Sequence, residues 1–384
     1  MSQYVDRGLI EKYDMTGPRY TSYPTAVEFT TNFKSADYRM ALHASSTDTP
    51  LSIYIHVPFC DTLCYYCACN KIITKDRRKS PPFLHRLKKE IAMVAKQLGR
   101  RYVKQMHWGG GTPTFLSDEE IREVITHLSQ YFELDPENGE YAIEIDPRSV
   151  DEQRIKALRA MGFNRISFGV QDLNPKVQKA VHRIQPIEVT ENALRTARDA
   201  GFKSIHLDLI YGLPFQSEAS FSETLRTVIQ WRPDRLSVFN YAHLPHIFMP
   251  QKRIRVEDLP SPEEKLRILE RSITELTEAG YQFIGMDHFA LPDNELARAQ
   301  RDGTLHRNFQ GYTTHAECDL VGFGPSAIGQ LPGAYVQNVK TLEEYYDAID
   351  NDRLPVWRGK VLTQDDKIRR AAIMQLICHF ELDM

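Results

Sequence analysis

Apolar positions along the chain alternate between short β-branched runs and longer stretches that carry a 3.6-residue stripe. Leu51–Val57 is the first run and reads as a strand. Pro82–Leu98 follows as a helix, with Leu84, Leu87, Ile91 and Val94 on one face. Val103–Trp108 reads as a second strand, and Ser117-Asp-Glu-Glu120 offers a capping box to the next helix. Tyr141–Asp146, Arg165–Val170, Ile205–Ile210 and Arg235–Phe239 are four more apolar runs separated by helical patterns. Tyr281–Met286 repeats the theme after a helix around Glu263–Ala279. Strand and helix in strict turn predict right-handed βαβ units on a parallel sheet. About seven strands fall short of the eight of a closed barrel. The expected fold is therefore α/β, an open, partial (β/α) barrel over residues 51–290. No internal repeat or low-complexity segment interrupts it.

The flanks follow other rules. Gly17-Pro-Arg-Tyr-Thr-Ser-Tyr-Pro24-Thr is too broken for a helix and too aromatic for a disordered tail. Residues 1–50 are expected to form an arm on the domain surface, with a helix over 35–45. Residues 291–360 are expected to complete the barrel and link it to a helical region that opens at 361–384. At 384 residues the chain exceeds the ~250–300 at which one core stops growing, which fits one large domain with additions.

Composition narrows the field. Apolar content of 42% and charged content of 26% are ordinary for a globular protein. A net charge of −3 gives no basic surface for nucleic acid or membrane. No apolar run approaches the ~20 residues of a membrane span, and Met1-Ser-Gln-Tyr-Val-Asp-Arg7 has neither the basic start nor the apolar centre of a signal peptide. The cytoplasm is the expected location.

In barrels of this type the working residues stand at the C-terminal ends of the strands. Polar groups occur there with regularity: Gly109-Gly-Gly-Thr112 after the second strand, Glu144 and Asp146 after the third, Gln171 and Asp172 after the fourth. Asp208 ends the fifth and Ala242-His243 follows the sixth. A lone acidic residue at such a place is more often a helix cap than a catalyst. Several converging beside one cysteine cluster favour a site.

That cluster is Cys60-Asp-Thr-Leu-Cys64-Tyr-Tyr-Cys67-Ala-Cys69, which holds four of the six cysteines in ten residues directly after the first strand. Thiols this close do not all pair as disulfides without strain, so soft metal ligation is the better reading. A structural zinc site draws pairs of ligands from two knuckles, and no second C-x2-C or H-x3-H pair exists. Three cysteines on one tight loop suit three corners of a [4Fe-4S] cubane, leaving one iron open to a substrate or cofactor. Structural zinc and incidental thiols are the alternatives. Cys318 and Cys378 are isolated and read as small buried residues.

C-x3-C-x2-C after a strand resembles the radical S-adenosylmethionine (SAM) superfamily. The added C-x-C, the preceding Tyr54-Ile-His-Val-Pro-Phe59 and the trailing Asn70-Lys-Ile-Ile-Thr74 narrow the resemblance to the oxygen-independent coproporphyrinogen III oxidases. Phe168-Gly-Val-Gln-Asp172, Val181-His-Arg183, Asp208-Leu-Ile-Tyr-Gly-Leu-Pro214, Phe239-Asn-Tyr-Ala-His-Leu-Pro245 and Gly324-Pro-Ser-Ala-Ile-Gly329 extend it through most of the chain. It implies that Cys60, Cys64 and Cys67 hold the cluster, and that Cys69 has a catalytic role without ligating it, a spectator thiol being the alternative. It further implies two SAM molecules side by side. Tyr54, Gly110, Glu144 and Ile328 match contacts to the first; Tyr66, Gly111, Thr112, Gln171, Arg183, Asp208 and Ala242 match contacts to the second.

The implied reaction starts with one electron passing from the cluster to SAM, giving methionine and a 5′-deoxyadenosyl radical that takes a hydrogen from the β-carbon of a substrate propionate. Loss of CO2 and a second electron leaves a vinyl group, and two rounds turn coproporphyrinogen III into protoporphyrinogen IX. A small reducing protein or other donor, an electron acceptor and a monomeric chain complete the expectation. Arg19, Lys71 and Arg307 are candidates to meet the four substrate carboxylates, and His288 is a candidate proton relay with a structural role as its alternative. The family carries further helical sequence after the region matching 361–384, so the expectation is a chain that assembles its cluster yet turns over poorly. A haem-binding chaperone and a haem-degrading radical SAM methyltransferase use the same scaffold and are the competing functions.

Overall fold

A computed structural model describes residues 20–382 together with Gly8 and Lys12. The proposed contact at Arg19 lies outside the described residues. Twelve strands make the main path of the sheet: β1 Leu51–Val57, β2 Tyr102–Gly110, β3 Glu140–Ile145, β4 Arg165–Gln171, β5 Ser204–Tyr211, β6 Arg235–Asn240, β7 Gln282–Gly285, β8 His288–Ala290, β9 Asp319–Phe323, β10 Ile328–Leu331, β11 Ala334–Asn338 and β12 Val356–Val361. Their order is β7-β8-β6-β5-β4-β3-β2-β1-β9-β10-β11-β12. The path does not close on itself, so the barrel is partial, as the strand count requires.

The run from β6 through β1 to β9 is parallel throughout. The seventh parallel strand is thus β9, on the far side of β1, and not Tyr281–Met286. That segment instead forms β7 and turns back at Met286, a non-glycine residue with positive φ, into β8, which pairs antiparallel to β6. A hairpin needs only a two-residue turn, whereas a parallel strand needs a crossover. Met286-Asp287 supplies that turn, and His288 opens β8.

The helices are α1 Ser35–Ala44, α2 Ser80–Leu98, α3 Asp118–Tyr131, α4 Glu152–Ala160, α5 Pro175–Ala180, α6 Ile187–Asp199, α7 Glu218–Trp231, α8 Pro262–Glu278, α9 Glu295–Arg301, α10 Leu342–Asp350 and α11 Gln364–His379. On α2 the stripe of Leu84, Leu87, Ile91 and Val94 is buried, each side chain contributing roughly 1.5–3 kcal/mol. Ser117 and Glu120 form the capping box of α3, each side chain meeting the other's backbone N–H. The end of α11 packs on the hairpin and on the segment after it: the Phe380 ring, just past the helix, stacks on Phe283 of β7, and Tyr312 donates to the Ile377 carbonyl (2.7 Å).

Strand alternation divides the molecule into two chemistries. On β4, Ile166, Phe168 and Val170 join the core, while Arg165, Ser167 and Gly169 face the cleft. On β5, Ile205, Leu207 and Leu209 face the core; Ser204, His206 and Asp208 face the cleft. A strand reverses its side chains at every residue, so each run feeds a helix-covered core and a polar interior at once. Near the strand N-termini, Glu140 pairs with Arg165 (2.8 Å) and His315 (2.9 Å), and Arg235 with Glu295 (2.6 Å). This charged layer forms a floor beneath the site.

Candidate active site

The chain leaves β1 at Val57 and enters the cysteine loop. Phe59–Cys60 pairs with Ile72–Ile73, bringing the loop back beside its start. The triple glycine after β2 lies directly against it. A Cβ on Gly111 would stand 2.5 Å from the Phe59 carbonyl oxygen and 3.0 Å from Cys60 Sγ, so no other residue fits without displacing the loop. Gly110 has φ +115, which L side chains rarely adopt. The amides of Gly111 and Thr112 donate to the carbonyls of Val57 and Phe59, each at 2.8 Å. These two amides hold the loop, while Gly110, Gly111 and Thr112 still line the cleft beside it. The second clamp comes from beyond β4, where the Val181 carbonyl accepts from the Tyr65 amide (2.9 Å) and His182 Nδ1 meets the Leu63 carbonyl (2.7 Å).

Cys60, Cys64, Cys67 and Cys69 line one cleft with Tyr66, Lys71, Gly110, Gly111, Thr112, Glu144, Asp146, Gln171, Arg183 and Asp208. All six cysteines of the chain are free thiols. Among the described residues no three His, Cys, Asp or Glu side chains converge on a single-ion site. Burial and the neighbouring thiols push Cys60 up to about 12. A hydrogen bond from Cys69 brings Cys67 down to about 6 against the opposing effect of burial, with Lys71 helping. Lys71 Nζ donates to the Cys67 carbonyl at 2.9 Å. The thiolate character this gives Cys67 is what a soft metal requires, while Cys60 is shifted the opposite way.

Around the cleft stand the polar groups of the strand ends. Glu144 Oε1 meets His107 Nε2 at 2.8 Å, and His107 stacks on Tyr54. Asp208 accepts from Ser167 Oγ (2.9 Å). Burial alone would raise its carboxyl, but the nearby His206 outweighs this and keeps it below the usual range. Arg183 donates to the Gly169 carbonyl (2.7 Å) and to Asp146 (3.1 Å), while its Nε has no partner. Gln171 sits at a register shift with positive φ, and its buried Oε1 is also unpartnered. Buried polar atoms without partners are costly, and here two face one cleft.

Three of the named contacts sit differently. Ile328 packs in an apolar cluster with Phe29, Tyr335 and Leu362, and its side chain does not line the cleft. Ala242 is exposed; its carbonyl accepts from Gln251 Nε2 (3.2 Å), which also donates to the Tyr66 carbonyl (3.0 Å). Tyr54 stands beside the site: its ring stacks on His107, its hydroxyl meets His56 Nδ1 (3.1 Å), and burial, with Glu144 and Cys69 nearby, pushes its phenol up. Asp172 is a latch, accepting from Asn174 N (2.7 Å) and Thr224 Oγ1 (2.9 Å). Arg307 donates to the Thr21 carbonyl (2.9 Å) and lies over the Tyr312 ring, tying the arm to the barrel. Below the first cleft a second shares Glu144, Ser167, Asp208 and Phe239 with it and adds Asn308 and Gln310. Those two residues lie on an irregular segment with no periodic signal, and only the three-dimensional path brings them in. His288 borders this lower cavity edge-on to Phe239 and Tyr312, its ring kept neutral by burial and by Arg307.

Residues 54–228 match the radical SAM superfamily. The oxygen-independent coproporphyrinogen III oxidase of Pseudomonas aeruginosa is 55% identical over 380 residues, covering 98% of this chain and 83% of that protein. The enzyme of the same name from Escherichia coli strain K12 is 51% identical, with 98% and 82% covered. The chain belongs to the oxygen-independent coproporphyrinogen III oxidase family. A solved structure of coproporphyrinogen III oxidase from Escherichia coli, described as a radical SAM enzyme, superposes on all of this chain and 86% of that one. Its TM-score is 0.95 at 50% identity. Family membership sets the cleft in context: a radical SAM enzyme works with a [4Fe-4S] cluster and SAM, and the thiol-lined cleft with its open polar atoms fits both.

Proposed function

We propose that the chain catalyses oxidative decarboxylation of two propionates of coproporphyrinogen III, giving the vinyl groups of protoporphyrinogen IX, and that the cleft above β1–β6 is where it does so. The observation that carries this reading is the convergence of Cys60, Cys64 and Cys67 with Glu144, Gln171, Arg183 and Asp208 on one cleft, in a chain 55% identical to a named oxidase. Cys60, Cys64 and Cys67 hold the cluster. When bound, the cluster and SAM supply the one-electron chemistry that removes hydrogen from the β-carbon of a propionate.

The protein's residues orient and exclude. Asp208, set by Ser167 and His206, presents a charged carboxylate suited to ribose hydroxyls. Glu144 presents one suited to an ammonium group, and the unpartnered Gln171 Oε1 offers a further acceptor. Arg183 supplies fixed positive charge for a carboxylate. The two adjoining cavities, which share Glu144 and Asp208, support a reading with two SAM molecules. Glu144 belongs with Tyr54, Gly110 and the Ile328 backbone at the first; Asp208 belongs with Tyr66, Gly111, Thr112, Gln171, Arg183 and the Ala242 segment at the second. Cys69 serves catalysis beside Cys67, and Lys71 meets a substrate carboxylate at the mouth.

Residues 51–290 form the catalytic barrel in this reading, residues 291–360 complete it, and 1–50 and 361–384 flank it. The chain acts as a monomer in the cytoplasm with a small reducing protein as donor. Six free thiols support a reducing compartment, and no helix among the described residues is long and apolar enough to cross a membrane.

Equilibrium dialysis of the anaerobically reconstituted protein with labelled SAM tests the two-site assignment. Two SAM per chain are expected, with Asp208→Ala and Glu144→Ala each losing one. Saturation at one SAM, unchanged in Asp208→Ala, contradicts it.

A further inference from the structure

Asp146, at the end of β3, binds two guanidinium groups at once. Arg148 donates to it from Nη2 (2.6 Å) and Nε (2.9 Å), and Arg183 donates from Nη1 (3.1 Å). The Asp146 carboxylate also accepts from the Arg148 backbone amide (3.1 Å), so the turn that carries Arg148 is capped by the same group that grips its side chain. Both arginines then reach one sulfur: Arg148 Nη2 lies 3.7 Å and Arg183 Nη1 3.6 Å from Cys64 Sγ. The two arginine side chains are 19% and 8% exposed, and Cys64 is 8% exposed. Two cations and one anion thus leave a net positive charge, shielded from water, against this sulfur.

We propose that Arg148, fixed by Asp146, is a positioning residue whose N–H···S bond and charge raise the reduction potential of the cluster held by Cys64. The inference rests on the reading of Cys64 as a cluster ligand. Hydrogen bonds to ligating sulfurs and the net charge around a cluster set its potential. Reduction adds one negative charge, so a nearby buried guanidinium favours the reduced form. The step affected is one-electron transfer into the cluster from a low-potential donor, dithionite in the assay; no bond to carbon forms or breaks in it. Burial tends to raise the Asp146 carboxyl, but the two arginines hold it below its usual range, so the clamp stays charged. Arg148 is none of the residues matched to SAM contacts, and its guanidinium is engaged with Asp146 and Cys64.

The test is an EPR-monitored potentiometric titration of the reconstituted full chain, with iron content measured on the same samples. Arg148→Met is expected to keep its iron and to lower the midpoint by the equivalent of about tenfold in the reduced-to-oxidised ratio, ~59 mV for a one-electron couple. Arg148→Lys, which keeps the charge, is expected to recover most of that shift. An unchanged midpoint in an iron-replete Arg148→Met overturns the proposal. If that variant fails to hold iron, Arg148→Gln, which keeps an N–H donor without the charge, decides by the same criterion. Loss of iron in both overturns the proposal too, since Arg148 is then needed for assembly. A wild-type chain with no reducible cluster defeats the ligand reading itself.

Discussion

Gly111 is held where any side chain would collide with the Phe59 carbonyl and Cys60 Sγ. Gly111→Ala is therefore expected to leave the barrel folded while displacing the cysteine loop. The check pairs iron content after reconstitution, expected to fall sharply, with a thermal midpoint close to wild type. An alanine variant that binds iron normally contradicts the packing. The cysteines, Glu144, Gln171 and Asp208 were legible from sequence because each owes its place to a short local pattern at a strand end. The glycine amides were not, because their acceptors at Val57 and Phe59 lie some fifty residues away in the chain. Ile328 leaves only its backbone for a contact: a glycine-rich turn in sequence does not reveal the apolar cluster with Phe29 and Tyr335 that takes the side chain.

Between elements, two buried side chains act as links, the first from the barrel to its extensions and the second within the barrel. Glu90 of α2 accepts from the Gly324 amide (2.8 Å), Asn338 Nδ2 (2.7 Å) and the Tyr345 hydroxyl (2.6 Å), joining α2 to β11, α10 and the turn after β9. Burial pushes its carboxyl up to about 7, outweighing those three bonds. Between the unfolded value of 4.5 and about 7 the folded state then binds more protons than the unfolded state. Stability should fall as pH rises across that window, by up to roughly 3 kcal/mol. Glu90→Gln is expected to flatten that dependence, which denaturant melts from pH 5 to 8 would show; an equal slope in both proteins contradicts it. Gln251 links the Tyr66 and Ala242 carbonyls to the Leu244 amide. Gln251→Ala strands all three and should cost about 1–3 kcal/mol by urea unfolding; a change under half of that would show the link to be idle. Strand and helix positions were readable from periodicity because burial imposes it locally. The place of β9 beside β1 was not, since a five-residue apolar strand carries no label for its neighbour.

At the scale of the whole molecule, one alternation of side chains gives both the core and the cleft. The inward set is charged at the floor, polar at the middle and thiol-rich at the mouth, so the cofactors meet fixed dipoles and charges at every level. Sequence reading reached the family and the cluster because cysteine spacing is chemically specific. The bond from Arg307 to the Thr21 carbonyl, which ties down the arm, has no local signal in the sequence. The central claim is that this cleft carries radical decarboxylation, and one assay tests it most directly. The reconstituted chain is incubated without oxygen with dithionite, SAM and coproporphyrinogen III, and CO2, 5′-deoxyadenosine and porphyrin products are followed. The account predicts all three products, and their loss in Cys60→Ala. An iron-replete chain that forms none of them, or products that persist in Cys60→Ala, would contradict it.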